Sequence, residues 1–390
     1  MALTFGANAV YLAGQNYGMR GACGNFDPDE LRRAAVMCHE KDVRMHVTVN
    51  TLPRDDEMES MPAYLELLND IGADALIVAD LGVFNLAKRY APNCELHVST
   101  QTGIVNTATA QGWFDLGAKR VVLAREMSLD DIIRLRQNTP KELEIETFIH
   151  GSMCVSFSGR CLLSNYMTGR DGNRGVCAQP CRWKYALMEE KRPGQYFPIF
   201  ETEQGTYIMN SKDMCLIDHV PELLDAGIDA LKIEGRNKSS YYTAIITNAY
   251  QHAIEAAMQG KPLAPVWRDE VEKVSHRNYY TGFYFGTPGD SQFYDESRYI
   301  RDWQISAFVL ECDADGNAVV TQRNRFFTGN ELELVTPDRE PVAFTVDAMQ
   351  DEEGNAIDVC PRPQQIVKLK LPHYAPPNSI LRRCVSVDKK

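Results

Sequence analysis

The sequence predicts an α/β protein, a TIM-type (β/α) barrel followed by a small antiparallel β-barrel domain. Three observations carry this. Short β-rich runs alternate with helical stretches over the first 260 residues. Most of these runs are continuously apolar, as strands buried on both faces are. Beyond residue 300 the pattern changes to alternation broken by turn signals.

The first run is AVYLA at 9–13. Asp27-Pro28 then opens a helix over 28–41, as N-cap and first helical residue. VRMHVTV (43–49), ALIVA (75–79), ELHVST (95–100) and RVVLA (120–124) follow as strands. Ser128 caps a helix over 129–137, with Asp131 at the capping-box position. EIETFIH (144–150), TYIMN (206–210) and ALKIE (230–234) complete the set, and a helix covers about 240–259. Gly6-Ala7, Gly72-Ala73, Gly117-Ala118 and Gly227-Ile228 precede strands, where glycine suits the end of a helix. About eight βα units fit a barrel better than an open sheet, although doubly wound sheets use the same units. The domains expected are a barrel over 1–260 with an insertion at 151–205, an aromatic and turn-rich linker at 261–302, and a β domain at 303–390. In the last, ISAFVLE, DADGN and AVVTQ read as a hairpin.

The 390 residues are 44% hydrophobic and 24% charged, ordinary for a globular protein. No apolar run approaches a membrane span, so no membrane partner is expected. The N-terminus MALTFGANAVYLAG has no basic leader region, which predicts no export and reduced thiols. The net charge of −12 argues against a protein that coats nucleic acid indiscriminately. A local basic stretch exists all the same: residues 160–184 hold Arg160, Arg170, Arg174, Arg182 and Lys184 against a single acid, Asp171.

Five of the eleven cysteines fall in one stretch, Cys154-x6-Cys161-x15-Cys177-x3-Cys181 and then Cys215. The first four sit just past the C-terminal end of a strand, where barrels build active sites. Thiolates at this density suit iron–sulfur clusters or zinc. The irregular intervals exclude a zinc ribbon with matched knuckles, and Lys184 stands where a C-x3-C-x2-C loop needs a third cysteine. Cys177-x3-Cys181 is a local pair, so Cys181 is expected as the fourth ligand, with Cys215 as the alternative. Cys38 lies in a helix and reads as core. Cys23, Cys94, Cys312, Cys360 and Cys384 show no partner pattern.

The stretch Glu146-Thr-Phe148-Ile-His-Gly151-Ser-Met-Cys154, with Gly159-Arg160-Cys161-Leu-Leu-Ser164, resembles the signature of the U-thirty-two collagenase-like peptidase family. GANAVYLAG (6–14), VTVNT (47–51), LHVSTQ (96–101), RVVLARE (120–126), GVCAQPCRWKY (175–185), MNSKDMC (209–215) and LKIEGRNKS (231–239) resemble it too. The resemblance is dense over 1–260 and looser in the tail. It is closest to the branch of prephenate-dependent tRNA uridine 5-hydroxylases acting at the wobble position. It implies a cytoplasmic, oxygen-independent hydroxylase with a 4Fe-4S cluster, prephenate as co-substrate and tRNA as partner. No obligate protein partner is evident in the sequence. Family members begin with a strand and half-helix before the GAxAVYLG motif, whereas Met1 here falls where that helix should end. If that strand is a stave, one of the eight runs is not, and 206–210 is the one to drop.

On this resemblance the metal ligands are Cys154, Cys161, Cys177 and Cys181. Prephenate carries two carboxylates and needs fixed cations. Arg125, Lys232 and Arg236 lie at strand ends, and Arg160 stands beside the thiols. Ordinary salt bridges would account for each equally, and Lys232 could pair with Glu234. His150 ends its strand and is expected either as a proton shuttle or as a hydrogen-bonded support. His97, Ser99, Gln101, Asn50, Asn210, Lys212 and Asp213 also lie near strand ends. Tyr166 or Trp183 offers a stacking face for an extruded uridine. The rival readings are a peptidase, a hydroxylase of ribosomal RNA or a small aromatic, and a zinc-bearing scaffold. The peptidase reading lacks G-x-S-x-G and H-E-x-x-H motifs.

Overall fold

The computed structural model describes residues 1–19, 24–154, 158–159, 161–183, 187–188, 196–197, 201–202, 205–206, 212–286 and 300–385. Two compact units emerge. One comprises Asn8–Asn237 and Arg277–Arg298; the other comprises Met1–Ala7, Lys238–His276 and Tyr299–Lys390. This division groups the segment 238–276 with the C-terminal strands, where the sequence reading drew boundaries at 260 and 303.

The first unit is built on strands β1 (Ala9–Leu12), β2 (Arg44–Val49), β3 (Ala75–Val78), β4 (Glu95–Val98), β5 (Arg120–Val122) and β6 (Glu144–Ser152). All pair in parallel, in chain order. Between them run α1 (Pro28–His39), α2 (Met61–Ile71), α3 (Leu81–Tyr90), α4 (Thr107–Asp115) and α5 (Leu129–Gln137). The expected caps form. Asp27 and Glu30 make a reciprocal capping box on α1, and Ser128 Oγ accepts from Asp131 N. The β strands are continuously apolar on their helix-facing side, which sets the core between sheet and helices.

β6 is long enough to serve two neighbours. Its first half pairs in parallel with β8 (Ala230–Ile233), and its last residues pair antiparallel with β7 (Asp213–Cys215). β9 (Tyr279–Tyr280) continues beyond β7. Lys232 of β8 lies 4.5 Å from the ring centroid of Tyr11 in β1. The two ends of the parallel ladder therefore face each other across the interior, and the sheet curls as a TIM-type barrel does. Among the described residues no ladder joins β8 to β1. Seven of the eight expected runs are parallel staves. Of the run at 206–210, Thr206 pairs with Glu201 in a short antiparallel hairpin, and 207–210 lie outside the described residues.

The second unit holds α6 (Ser240–Met258), α7 (Pro265–Glu272) and an eight-stranded antiparallel sheet. Its longest strands are β10 (Trp303–Cys312) and β11 (Asn317–Gln322), joined by the expected DADGN turn. The sheet is curled over a core that includes Val309, Val320, Phe326, Leu334 and Leu381. Arg382 is fully buried in this unit. It donates to Glu270 Oε1 at 2.5 Å and to Glu333 Oε2 at 2.6 Å, tying α7 to the sheet.

Candidate active site

The C-terminal ends of the barrel strands surround a cavity of about 210 Å³. Tyr11, Thr48, Ile77, Val122, Phe148 and Lys232 supply its floor and walls. Neighbouring strands present these residues in register, so they lie on the inward face. The cysteine-rich insertion supplies the other side. Cys154, Cys161, Cys177 and Cys181 all line this one cavity. None is in a disulfide. Cys215 pairs with His150 across β7 and β6 and is not in the lining.

The insertion is seated on the barrel at four points. Gly159 adopts φ +73, and a Cβ there would lie 2.1 Å from the carbonyl oxygen of Gln101 in the turn after β4. Gly175 adopts φ +86, and its Cβ would lie 2.8 Å from Gly18 O in the loop after β1. Only glycine permits either approach. Glu126 accepts from both Ser158 N and Ser158 Oγ at 2.9 Å, between the first two cysteines. Arg174 pairs with Glu57 at 2.5 Å. Inside the insertion, Ser164 Oγ donates to Arg170 O and accepts from Ala178 N, which folds Cys161 and Cys177 toward the same side.

The expected cations meet here. Arg125 Nη1 donates to Ser152 O at 2.9 Å, its guanidinium lies 3.7 Å from the Phe148 centroid, and Nη2 is 3.8 Å from Glu234. Arg125 and Gln101 line the cavity, and Arg125 Nε and Gln101 Oε1 are buried without a hydrogen-bond partner among the described residues. Arg236 donates to Asn25 Oδ1 at 3.0 Å and also lines the cavity. Lys232 does not pair with Glu234; its Nζ donates to Glu146 Oε1 at 2.6 Å. Asn50, Ser99 and Gln101 line the cavity, as their strand-end positions suggested. Arg160 and Asn210 lie outside the described residues.

His150 is the residue expected either as a proton shuttle or as a hydrogen-bonded support. It is 1% exposed, does not line the cavity, and its Nε2 lies 3.4 Å from Tyr279 Oη. A register shift between Lys232 and Ile233 displaces the end of this strand pair, so strand alternation does not carry His150 into the cavity. Among the described residues no histidine lines the cavity. His97 is fully buried below it, and Asp213 is buried against Arg277 at 2.6 Å.

Sequence reasoning missed His46, Arg120 and Glu146, which with His97 and Lys232 fill the barrel interior at and below the floor, where aliphatic side chains are usual. Burial opposes the charge on Glu146, but the Lys232 ammonium and the Arg120 guanidinium overcome it and hold its carboxyl down at about 2. Burial, then the neighbouring His97, pushes His46 down to about 3, so it is neutral at pH 7. The signal was present in the polar alternation Glu144, Glu146, Phe148, which sequence alone cannot orient inward or outward.

The donor set suits a metal cluster. Four unbridged thiols share one cavity, whereas burial pushes Cys94 and Cys360 elsewhere up to about 11. Among the described residues, no three His, Cys, Asp or Glu side chains converge closely enough to hold a single ion.

Fold and cavity together define a (β/α) barrel with a thiol-lined mouth and a cationic floor. Residues 1–293 match Peptidase family U32, and residues 301–382 match its C-terminal domain. The chain belongs to that family. It is 36% identical to tRNA hydroxylation protein P1 of Bacillus subtilis, over 98% of this chain and 91% of that protein. It is 35% identical to tRNA hydroxylation protein P of Escherichia coli, over 95% of this chain and 90% of the relative. The 23S rRNA 5-hydroxycytidine C2501 synthase of Escherichia coli is 32% identical over 96% of this chain but only 56% of its own length. Among the described residues no helix is long and apolar enough to cross a membrane.

Proposed function

We propose that this protein is a tRNA hydroxylase that forms 5-hydroxyuridine at the wobble position, with prephenate rather than dioxygen as the hydroxyl donor. Near full-length similarity to proteins named for tRNA hydroxylation supports the tRNA assignment. The observation that carries the chemistry is the meeting of four thiols with Arg125, Lys232 and Arg236 in one cavity. Cys154, Cys161, Cys177 and Cys181 would hold a 4Fe-4S cluster. Such a cluster would supply a redox-capable iron centre.

The protein's own residues do the rest. Arg125 and Lys232 bind the carboxylates of prephenate, the guanidinium by its fork and the ammonium as a point charge. Phe148, Ile77 and Val122 exclude water and strengthen those contacts. Gln101 lines the cavity and carries an amide that can both donate to and accept from a base edge. Tyr166 is 86% exposed and Trp183 is 43% exposed on the insertion, where either offers a face to a flanking base. A cavity without histidine gives no imidazole base to a thiol nucleophile, which weighs against a peptidase.

The test pairs metal analysis with nucleoside analysis. Anaerobically purified wild type should carry about four irons per chain, and Cys161→Ala should lose them. tRNA from a deletion strain should regain 5-hydroxyuridine with the wild-type gene and not with Cys161→Ala. A colourless protein with one zinc after anaerobic reconstitution would sink the reading. Modification found in ribosomal RNA instead would favour the activity in the name of the 23S relative.

A further inference from the structure

The buried charges under the cavity floor form a directed stack. Lys119 Nζ lies 3.2 Å from Glu144 Oε1 at the N-terminal rim of the barrel. Arg120 contacts Glu144 through Nε at 2.8 Å and Nη2 at 2.6 Å. Arg120 Nη1 donates to Glu146 Oε2 at 2.8 Å, and Lys232 Nζ donates to Glu146 Oε1 at 2.6 Å. Each oxygen of Glu146 thus takes a different cation. The stack runs along the barrel interior and ends at an ammonium in the cavity wall.

Stability does not account for this stack. Desolvating such ions costs several kcal/mol each, and apolar replacements are often as stable. Its geometry does account for the position of Lys232. The ammonium has three N–H donors, and Glu146 takes one. The rings of Tyr11 at 4.5 Å and Phe148 at 5.6 Å hold the charge without supplying a full acceptor. Capacity for an anionic oxygen remains on the cavity side.

We propose that Glu146, locked from below by Arg120, is a positioning residue that fixes the Lys232 ammonium at the cavity floor as the ligand for a carboxylate of the bound co-substrate. The ligand half of this rests on the reading above that a carboxylate co-substrate enters the cavity. The other ionisable groups of this interior and cavity are Tyr11 on β1, His46 on β2, His97 on β4, Arg120 on β5, Glu234 just past β8, and Arg125, Glu126, Arg236 and the four thiols in the cavity wall. His46 and His97 are pushed toward the neutral form by burial, and Arg125 and Arg236 are cations. Glu146 is the carboxylate in direct contact with the ammonium.

Two measurements test this on the full-length protein. The first needs no ligand. Reductive methylation with formaldehyde and borohydride reads the fraction of neutral amine at Lys232, followed by peptide mass spectrometry from pH 7 to 10. Glu146→Gln should react at least about tenfold faster than wild type at pH 8, and Glu146→Asp, which withdraws the charge by one methylene, should be intermediate. Equal rates in wild type and Glu146→Gln would overturn the positioning role. The second is prephenate affinity by calorimetry at pH 7 and pH 9. Wild type should change little. Glu146→Gln should weaken about tenfold or more between the two pH values, and Glu146→Gln with Lys232→Arg should again be flat, because a guanidinium stays charged. Equal weakening at both pH values without rescue by arginine would mean that Glu146 is merely structural. If the wild type hydroxylates no tRNA, the functional reading fails, while the methylation profile still decides the positioning role.

Discussion

At the scale of single residues, two neighbours in the barrel interior make the fold sensitive to acid. His46 sits at about 3 in the folded protein, against 6.5 when unperturbed. The unfolded chain therefore takes up this proton first, and the stability His46 allows is present above pH 6.5 and lost as pH falls toward 3. Glu146 sits at about 2 against 4.5, so its contribution is present above 4.5 and lost as pH falls toward 2. Urea midpoints measured from pH 7.5 to 3.5 should fall first in the histidine window and then more steeply. His46→Gln should reduce the slope near pH 5 by up to about 1.4 kcal/mol per pH unit. An unchanged slope would show that His46 is protonated in the folded state. Residue chemistry of this kind was only half legible. The cysteines announced themselves by density and the arginines by strand-end position. The pairing of Lys232 with Glu146 crosses 86 residues and depends on which way a strand faces.

At the scale of elements, the strands were legible because buried parallel strands are written as apolar runs, and the caps because Asp27 and Ser128 carry their own chemistry. β7 was not legible. Three residues, Asp213–Cys215, are too short for a pattern, and their pairing depends on the extra length of β6. The insertion was legible as a gap in the rhythm, but not its seat. That seat yields a prediction. Gly159→Ala places a methyl group against Gln101 O and strains a left-handed residue by about 1–2 kcal/mol before any clash. The loop should lift from the turn after β4. On the cluster reading proposed above, iron content should fall well below that of wild type, because groups that support metal ligands are worth about 10–100-fold in metal affinity, while the far-ultraviolet circular dichroism stays unchanged. Full iron loading in Gly159→Ala would show that the thiols assemble without this contact.

At the scale of the whole molecule, the helices at 240–258 and 265–272 share a compact unit with the C-terminal strands. A composition shift at 260 suggested a boundary there, but composition reports solvent exposure and cannot report which sheet a helix packs on. Arg382 is the test of that unit. Its loss strands Glu270, which is 1% exposed, with only Lys273 at 3.2 Å as counterion. Arg382→Leu should destabilise the unit by about 3 kcal/mol or more in denaturant unfolding, and adding Glu270→Leu should recover part of it. A cost below about 1 kcal/mol would show that the pair is dispensable. Truncation after residue 302 removes Glu333 and Arg382 together and should leave these helices unable to stay folded.

The insertion bears on how the protein comes into being. Its anchors lie on segments far apart in the chain: Gly18 after the first strand, Glu57, Gln101 and Glu126. None of these is near another until the strands have curled. The four sulfurs are therefore gathered by a finished scaffold, not by the local chain. Any metal that these thiols hold would be taken up by a folded scaffold and not by a nascent peptide.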